Sequence, residues 1–454
     1  MRKLGLIIVA VLFLLPIWAQ NFNIEALQGI SLEAAKEKAL NQNQAYQAKA
    51  AAYSAASWGK SSAKAAFLPS LSLSGTLLYM DPATTVTAGT QTYTLNHDSR
   101  TVSLNLSQPL YLGGKLWQAY KISFISEEMA ALNLQNQRYT LLTEVESKYL
   151  GALQVFTLYK IGLSELKSAE DNLALAKIKQ ENGLLARSEI LRFQSRLASK
   201  QVSTLQAQTA LQLALQDFAN YLGEPQLLMP LDISLDSETA NIEELDAYDL
   251  AMTNSLSERA LQLALQRNLN YQILDKSVEL SDRAYALAKG SFWPAVMLTG
   301  SRQYRENGID RYDLTASNQI MLTASIPILP QLGNYSAAKK AKEEARKAAL
   351  EAKTATDSIK LGLQSAVLNW ISSAKQVQSA AMGLSYSEEL YSQMQERFRL
   401  NMLSPLELLD TELMLSAARM TNTIAFYTYL KARGAVMQAL ALEDVNDLYS
   451  LIRN

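Results

Sequence analysis

The 454-residue sequence contains no cysteine, one histidine and almost no net charge, with a formal value of −1. The lack of cysteine excludes disulfides, thiolate metal sites and a lipid anchor on an N-terminal cysteine. The near-zero charge argues against a nucleic-acid-binding protein, which would need a basic surface. No glycine-rich loop precedes a Lys-Ser or Lys-Thr pair, so nucleotide binding is not expected. We therefore predict no cofactor, no metal site and no catalytic residue, and a protein that is not an enzyme.

Long apolar runs are also missing beyond residue 20, so we expect no transmembrane helix there. At the N-terminus, Arg2 and Lys3 precede an apolar run from Leu4 to Leu15, and Ala19 offers a small residue for cleavage. This is the pattern of a secretory signal. The run is shorter than the ~20 residues that a membrane anchor needs. We predict a signal peptide over residues 1–19 and an exported chain.

The remainder of the chain is an internal duplication. Several positions recur at a constant offset of 225 residues: Ala63/Ala288, Lys64/Lys289, Phe67/Phe292, Pro69/Pro294, Leu73/Leu298 and Gly75/Gly300. A second offset of 218 residues relates Pro109 to Pro327 and Glu189 to Glu407. Such sustained register indicates one supersecondary unit used twice. We predict a first structural repeat over 20–240 and a second over 241–454.

Alternating apolar and polar residues predict strands within each repeat. Examples are the segment Leu71-Ser72-Leu73-Ser74 and the residues from Val102 to Ser107. We predict four strands per chain, at about 69–80, 99–110, 294–305 and 314–326. Each has hydroxyl side chains on one face and aliphatic ones on the other, and about the ~9–11 residues of a tilted membrane strand. These features favour transmembrane strands over an ordinary soluble sheet.

The other segments have helical patterns, so the fold class is mainly α with transmembrane β. Residues 115–182 and 333–400 are predicted to form long helices, each roughly 100 Å at 1.5 Å per residue. Apolar residues spaced alternately by three and four over 142–166 predict a coiled-coil seam. Shorter helices are predicted over 31–68, 188–222, from about 256 to Pro294, and 405–441. The sequence therefore predicts internally duplicated long α-helical hairpins.

Four strands cannot close on themselves, and an open sheet edge in lipid leaves backbone groups whose cost is several kcal/mol each. Other copies of the chain must therefore complete the sheet. Three copies would supply twelve strands, within the even-numbered range of bacterial barrels. We predict a trimer that forms a 12-stranded β-barrel joined to an α-helical barrel.

Three segments carry a family resemblance: Gln108-Pro109-Leu110-Tyr111-Leu112-Gly113-Gly114, residues 183–191 and residues 401–410. Their order and twofold repetition resemble the TolC-type outer-membrane efflux and secretion channel family, over about 30–441. The resemblance implies a homotrimer in the lipid of the cell outer membrane, with a periplasmic α-barrel. It implies a passive exit channel of a tripartite efflux or type I secretion system. Its partners would be a periplasmic adaptor (membrane fusion) protein and an inner-membrane transporter, and no nucleic acid.

The resemblance also implies sites at the two hairpin tips. Acidic residues would line the periplasmic entrance, or gate: Asp410, Glu407 and Glu189. The adaptor-docking tips would be Gly183, Leu184, Leu185, Asn401, Met402 and Leu403. Glu407 has an alternative role, because Ser404, Pro405 and Glu407 fit the N-cap, N1 and N3 positions of a capping box. The alternative function is a periplasm-spanning trimeric tether or adhesin without an open pore.

Overall fold

The computed structural model describes residues 27–83, 85–94, 97–232, 238–306, 314–328 and 331–453. The predicted signal peptide lies outside these ranges. The chain divides into two compact units. Unit 1 takes its described residues from 1–44, 138–267 and 362–454, and unit 2 takes its own from 45–137 and 268–361. Each unit therefore contains residues from both predicted repeats.

Ten α-helices lie within the described ranges. They are α1 (Leu32–Gln42), α2 (Gln44–Ala65), α3 (Lys115–Glu181), α4 (Arg187–Leu222), α5 (Thr239–Asp246), α6 (Leu250–Arg267), α7 (Leu269–Lys289), α8 (Gln331–Arg399), α9 (Pro405–Leu440) and α10 (Val445–Arg453). The long helices α3 and α8 have 67 and 69 residues, and the returning helices α4 and α9 have 36 each. The predicted long hairpins are confirmed. Among the described residues, no helix combines the length and the apolar character needed to cross a membrane.

Eight strands also lie within the described ranges. They are β1 (Gln28–Ile30), β2 (Ser70–Tyr79), β3 (Thr85–Ala88), β4 (Gln91–Thr94), β5 (Asp98–Leu112), β6 (Leu228–Pro230), β7 (Ala295–Glu306) and β8 (Leu314–Ser325). The four predicted strands are β2, β5, β7 and β8, and all are confirmed close to their predicted bounds. The β3–β4 hairpin and the parallel pair β1–β6 were not predicted. Strands of three or four residues are too short to show a reliable alternation.

Unit 2 contains the large sheet, which is antiparallel in the order β2-β5-β7-β8. Cross-strand pairing places Ser72, Asn105, Ser301 and Gln319 in one row across all four strands. The neighbouring row, on the opposite face, is Leu71, Leu106, Gly300 and Ile320. In these rows the sheet has one polar and one aliphatic face, as the alternation predicted, although Arg302 and Asn318 also lie on the aliphatic face.

Pro109 lies in β5, an inner strand of this sheet, where a proline normally disrupts the hydrogen-bond ladder. The pairing with β7 shifts there: Pro109 faces Met297, whereas Tyr111 faces Val296. Leu110 is thus the extra residue of a β-bulge, which accommodates the missing N–H of the proline. The outer strands β2 and β8 each pair on one side only within the described sheet.

The sequence predicted one continuous helix over 31–68 and another from about 256 to Pro294. This was wrong in one respect, because each region contains two helices separated by a break. Asn43 separates α1 from α2 with an extended backbone, and its side-chain amide donates to the Tyr221 carbonyl at 3.3 Å. Asn268 separates α6 from α7, and its side chain accepts the Tyr271 N–H at 3.1 Å. Both breaks are asparagines at the 225-residue offset. Asparagine favours such caps because its side chain can bond the nearby backbone.

Unit 1 is held together by a buried polar cluster as well as by apolar packing. Arg433 donates to Glu238 through Nη1 and contacts Glu146 Oε1 at 3.4 Å through Nη2. The Tyr449 hydroxyl donates to Glu238 Oε2 at 2.5 Å, and Lys36 Nζ lies 2.8 Å from Glu146 Oε2. Burial opposes the charge of Arg433 and is the largest single effect on its pKa, but Glu238, Tyr449 and Glu146 together outweigh it, so the pKa of Arg433 is raised. Helices α3, α9 and α10 and the start of α5 meet at this cluster.

Candidate functional site

The two hairpin tips, both in unit 1, have the same backbone geometry. In the first, Gly183 adopts a left-handed conformation with φ of 73°, and the Leu184 N–H donates to the Lys179 carbonyl at 2.8 Å. In the second, Asn401 has φ of 61°, and the Met402 N–H donates to the Arg397 carbonyl at 2.9 Å. Both are Schellman-type helix ends. Asn401 thus adopts the left-handed conformation that Gly183 adopts in the first tip.

The tip residues differ in exposure. Leu184 and Met402 are 58% and 72% exposed. Leu185 and Leu403 instead pack inward against a buried cluster beneath the tips. The members of this cluster are Leu173, Ala176, Ile190, Phe193, Phe398 and Leu408. The described tips therefore offer Leu184 and Met402 to a partner, whereas Leu185 and Leu403 hold the turns in place.

Lys179 joins the two hairpins, and the sequence analysis missed it. Its side chain is 6% exposed, and Nζ donates to the Phe398 and Arg399 carbonyls at 2.6 and 3.3 Å. It also donates to the Asn401 side-chain oxygen and lies 4.7 Å from the centre of the Phe398 ring. Burial lowers the pKa of Lys179. A cation from α3 thus caps the last carbonyls of α8 and positions the second tip.

A second pair of buried ionic contacts lies further along the hairpins. Arg196 Nε is 3.0 Å from Glu412 Oε1, which connects α4 to α9. Lys200 of α4 pairs with Glu165 of α3 and lies 3.3 Å from the Ser416 hydroxyl. The sequence shows Arg196 and Lys200 as charged residues among apolar ones in α4. It does not show which carboxylates pair with them.

Of the predicted acidic residues, Glu189 and Glu407 lie in the first turns of α4 and α9, and Asp410 lies about one turn further along α9. Glu407 accepts the Ser404 N–H at 3.1 Å and its hydroxyl at 2.8 Å, while the Ser404 hydroxyl accepts the Glu407 N–H at 3.4 Å. The capping box is therefore confirmed. Hydrogen bonds from Ser404 lower the pKa of Glu407. Asp410 is exposed and Glu189 is half-buried. A gating role for the three residues stays a prediction.

The two returning helices begin differently, which allows a matched test of the cap. Ala186 and Ser404 have nearly identical backbones, with φ/ψ of −75°/152° and −77°/150°, but Ala186 has no side-chain cap. Ser404→Ala should accelerate amide hydrogen exchange at residues 406–408 about fivefold, since a serine cap contributes ~1 kcal/mol. Ala186→Ser should slow exchange at residues 187–189 by a similar factor.

The pH dependence gives an independent check of the same cap. Because the folded pKa of Glu407 is lowered, the charged carboxylate stabilises the cap fully above the ordinary glutamate pKa of about 4.3. That contribution is lost as the pH falls through the lower folded pKa. Wild-type exchange should then approach that of Ser404→Ala. Equal exchange of the two proteins at neutral pH would contradict the stabilising role of the box.

Comparison with solved structures identifies the fold. The outer membrane channel CmeC of Campylobacter jejuni aligns with a TM-score of 0.75 and 14% identity, over 93% of this chain and 89% of that one. VceC of Vibrio cholerae aligns with a TM-score of 0.74 and 15% identity, over 90% and 95%. The open-state MtrE channel of Neisseria gonorrhoeae gives 0.73 and 16%, over 90% and 89%. The described fold is that of TolC-type outer-membrane channels.

A family model also matches part of the sequence. The family model described as outer membrane efflux protein matches residues 36–224. No curated protein sequence matches the chain significantly. The matched region covers most of the predicted first repeat, and the 225- and 218-residue offsets relate positions in that region to positions in the predicted second repeat. The resemblance to the TolC-type family is therefore confirmed.

Proposed function

We propose that the protein is the outer-membrane exit channel of a tripartite efflux or type I secretion system. The observation that carries this proposal is the sheet β2-β5-β7-β8, with one aliphatic face, one polar face and two outer strands paired on one side only. In lipid, the outer edges need hydrogen-bond partners. Pairing β8 of one copy with β2 of the next satisfies them, and three copies close a 12-stranded barrel.

The faces of this sheet suit a pore. The aliphatic row containing Leu71, Leu106 and Ile320 would face lipid, and the row containing Ser72, Asn105 and Gln319 would face a water-filled lumen. The outer-membrane efflux domain of residues 36–224 supports the same assignment.

The hairpin tips are the proposed periplasmic entrance and docking surface. Three copies of Asp410, with Glu407 and Glu189, would form acidic rings that favour cations. A periplasmic adaptor would contact the exposed Leu184 and Met402, at turns shaped by Gly183 and Asn401. Leu185 and Leu403 would support that surface from within. The inner-membrane transporter bound to the adaptor would supply the energy.

Single-channel conductance in a planar bilayer of neutral lipid tests the channel. We expect the detergent-solubilised protein to insert and to give a stable conductance that prefers cations. A folded, trimeric protein that never conducts would contradict the channel and favour the tether or adhesin. A monomer in detergent that cannot be assembled would contradict the proposed closure of the sheet.

The same recording tests the acidic entrance. Asp410→Asn should lower the cation-to-anion permeability ratio at least about twofold, because it removes three carboxylates from one ring. It should also weaken block by divalent cations. The matched control is Asp217→Asn. Asp217 is an exposed carboxylate near the C-terminal end of α4, far along the helix from the hairpin tip. Equal selectivity in wild type and Asp410→Asn would remove Asp410 from the entrance.

A further inference from the structure

Two clefts in unit 2 share the same chemistry. The first, of about 540 Å³, is lined by residues that include Lys64, Phe67, Leu68, Trp117 and Tyr120. The second, of about 440 Å³, is lined by residues that include Lys289, Phe292, Trp293, Tyr335 and Lys339. We call them the first and second lysine–aromatic clefts. Nothing in the proposed conduction pathway requires them.

The internal repeat relates these clefts to each other. The 225-residue offset takes Lys64 to Lys289 and Phe67 to Phe292. The 218-residue offset takes Trp117 to Tyr335, and Lys121 beside the first cleft to Lys339 in the second. Each copy thus retains a cation and an aromatic ring before its first large strand, and another such pair in its long helix. Two copies of one arrangement indicate a site rather than a chance surface feature.

Three lysines at these clefts lie against aromatic rings. Lys121 Nζ is 5.2 Å from the centre of the Trp117 ring, and Lys339 Nζ is 5.5 Å from that of Tyr335. Lys289 Nζ is 4.7 Å from the Tyr285 ring. Elsewhere in unit 2, lysines pair with carboxylates, as Lys276 does with Glu128 at 2.8 Å. A cation held on a ring keeps N–H groups available for an external anion.

The sequence around the clefts contains little negative charge, and the nearest acidic residue to the second cleft is Glu343, which follows Lys342. Four segments adjoin the end of the sheet from which the helices leave, and none contains aspartate or glutamate: 38–80, 99–126, 283–305 and 314–342. The first acidic residues beyond the clefts on the long helices are Glu127 and Glu343. The local field is therefore positive and complements an anionic ligand.

The clefts lie where a membrane surface would be. Leu68 precedes the start of β2 by two residues, and Trp293 precedes the start of β7 by two. Trp117 and Trp293 are 52% and 60% exposed. Tryptophan with an exposed ring is typical of the boundary between lipid headgroups and acyl chains. Ile328, 76% exposed just beyond β8, extends this apolar surface.

We propose that the two lysine–aromatic clefts bind the headgroups of anionic phospholipids in the periplasmic leaflet of the outer membrane. The lysine ammonium groups donate to the lipid phosphate, and the aromatic rings contact the glycerol and the first acyl carbons. This rests on the proposed function, because the strands must be inserted for the clefts to reach that leaflet. Six such clefts in a trimer would fix the depth of the channel in the membrane.

Native mass spectrometry of the detergent-solubilised protein with added phosphatidylglycerol or phosphatidylethanolamine tests the proposal. Wild type should bind phosphatidylglycerol more tightly than phosphatidylethanolamine. Lys289→Gln/Lys339→Gln and Lys64→Gln/Lys121→Gln should each weaken phosphatidylglycerol binding, by about fivefold for every lysine removed. Lys353→Gln/Lys360→Gln, on the part of α8 beyond the second cleft, is the matched control and should bind like wild type.

Several outcomes would overturn the lipid site. Equal binding of the two lipids by wild type would exclude an anion-selective site, and an equal loss in the control would indicate non-specific attraction. Displacement of phosphatidylglycerol by an equal concentration of inorganic phosphate would indicate a site for free anions. Conductance of the variants in neutral lipid separates this proposal from the channel. If the lysine variants conduct like wild type but no longer prefer phosphatidylglycerol, the result supports both the channel and the lipid site. If they conduct like wild type and still prefer phosphatidylglycerol, the result contradicts the lipid site alone.

Discussion

Replacing Arg433 by methionine should destabilise unit 1 by about 3–5 kcal/mol, the usual cost of removing one partner of a buried ionic cluster. The guanidinium contacts both Glu238 and Glu146, and all three side chains are buried. Without Arg433, two carboxylates remain in a poorly solvated site, and Lys36 reaches only Glu146. Methionine preserves most of the volume, so the loss reports mainly on charge. Chemical unfolding in detergent measures it.

Fluorescence can follow this transition, because Trp370, one of five tryptophans in the sequence, is fully buried and its ring lies 6.3 Å from that of Tyr449 in the same cluster. The matched control is Arg138→Met, which breaks the exposed pair with Glu443 at 2.8 Å and should cost under about 1 kcal/mol. Adding Glu238→Gln to Arg433→Met should recover part of the stability, since it removes one unpaired charge. A loss no larger than that of the control would show that the cluster does not stabilise the fold.

Replacing Lys179 by methionine should loosen the second hairpin tip. The change leaves the Phe398 and Arg399 carbonyls without their buried donor, and such groups cost about 1–3 kcal/mol each. Asn401 also loses the contact that holds its side chain at the left-handed turn. We expect amide hydrogen exchange at residues 401–403 to accelerate about tenfold to a hundredfold. Exchange at the first tip should change much less, because Gly183 needs no such support.

Lys177→Met is the matched control for this prediction. Lys177 lies on the same helix, is exposed, and is two residues away. Its replacement should leave exchange at both tips unchanged. If Lys179→Met also left the second tip unchanged, the Schellman turn at Asn401 would be stable by itself. If the tips dock an adaptor as we propose, the Lys179→Met protein should also bind that adaptor more weakly while its intrinsic conductance persists.

The periodic elements were predictable because the sequence shows them directly. The alternation around Leu71 and Val102 predicted β2 and β5, and the 225- and 218-residue offsets carried the same prediction to β7 and β8. The offset of 218 also relates α4 to α9, whose bounds differ by that number at both ends. The capping box at Ser404 was predictable because all of its parts lie within four residues. Local patterns of this kind need no knowledge of distant contacts.

The interruptions and short elements were less predictable. Asparagine is only moderately unfavourable in a helix, so Asn43 and Asn268 do not by themselves indicate a break. Helix α1 ends at Asn43 because the Asn43 side chain can reach the Tyr221 carbonyl, 178 residues away in the sequence. The pair β1–β6 similarly lies against Tyr149, whose hydroxyl donates to the Leu231 carbonyl at 2.7 Å and lies 3.1 Å from the Ile30 carbonyl. Burial raises the pKa of Tyr149 to about 12, so this donor stays protonated.

At the hairpin tips, the sequence determined the turns, the capping box and the acidic first turns, because each depends on residues close together in the chain. Only the tertiary structure placed Leu185 and Leu403 inside and selected Lys179 as the link between hairpins, across 219 residues. The same holds for Arg433, which meets Glu146 across 287 residues. A buried charge is stable only where its partners converge, and convergence over such separations depends on how the helices pack. The sequence thus determined the repeated elements and their order, and packing decided which polar groups meet.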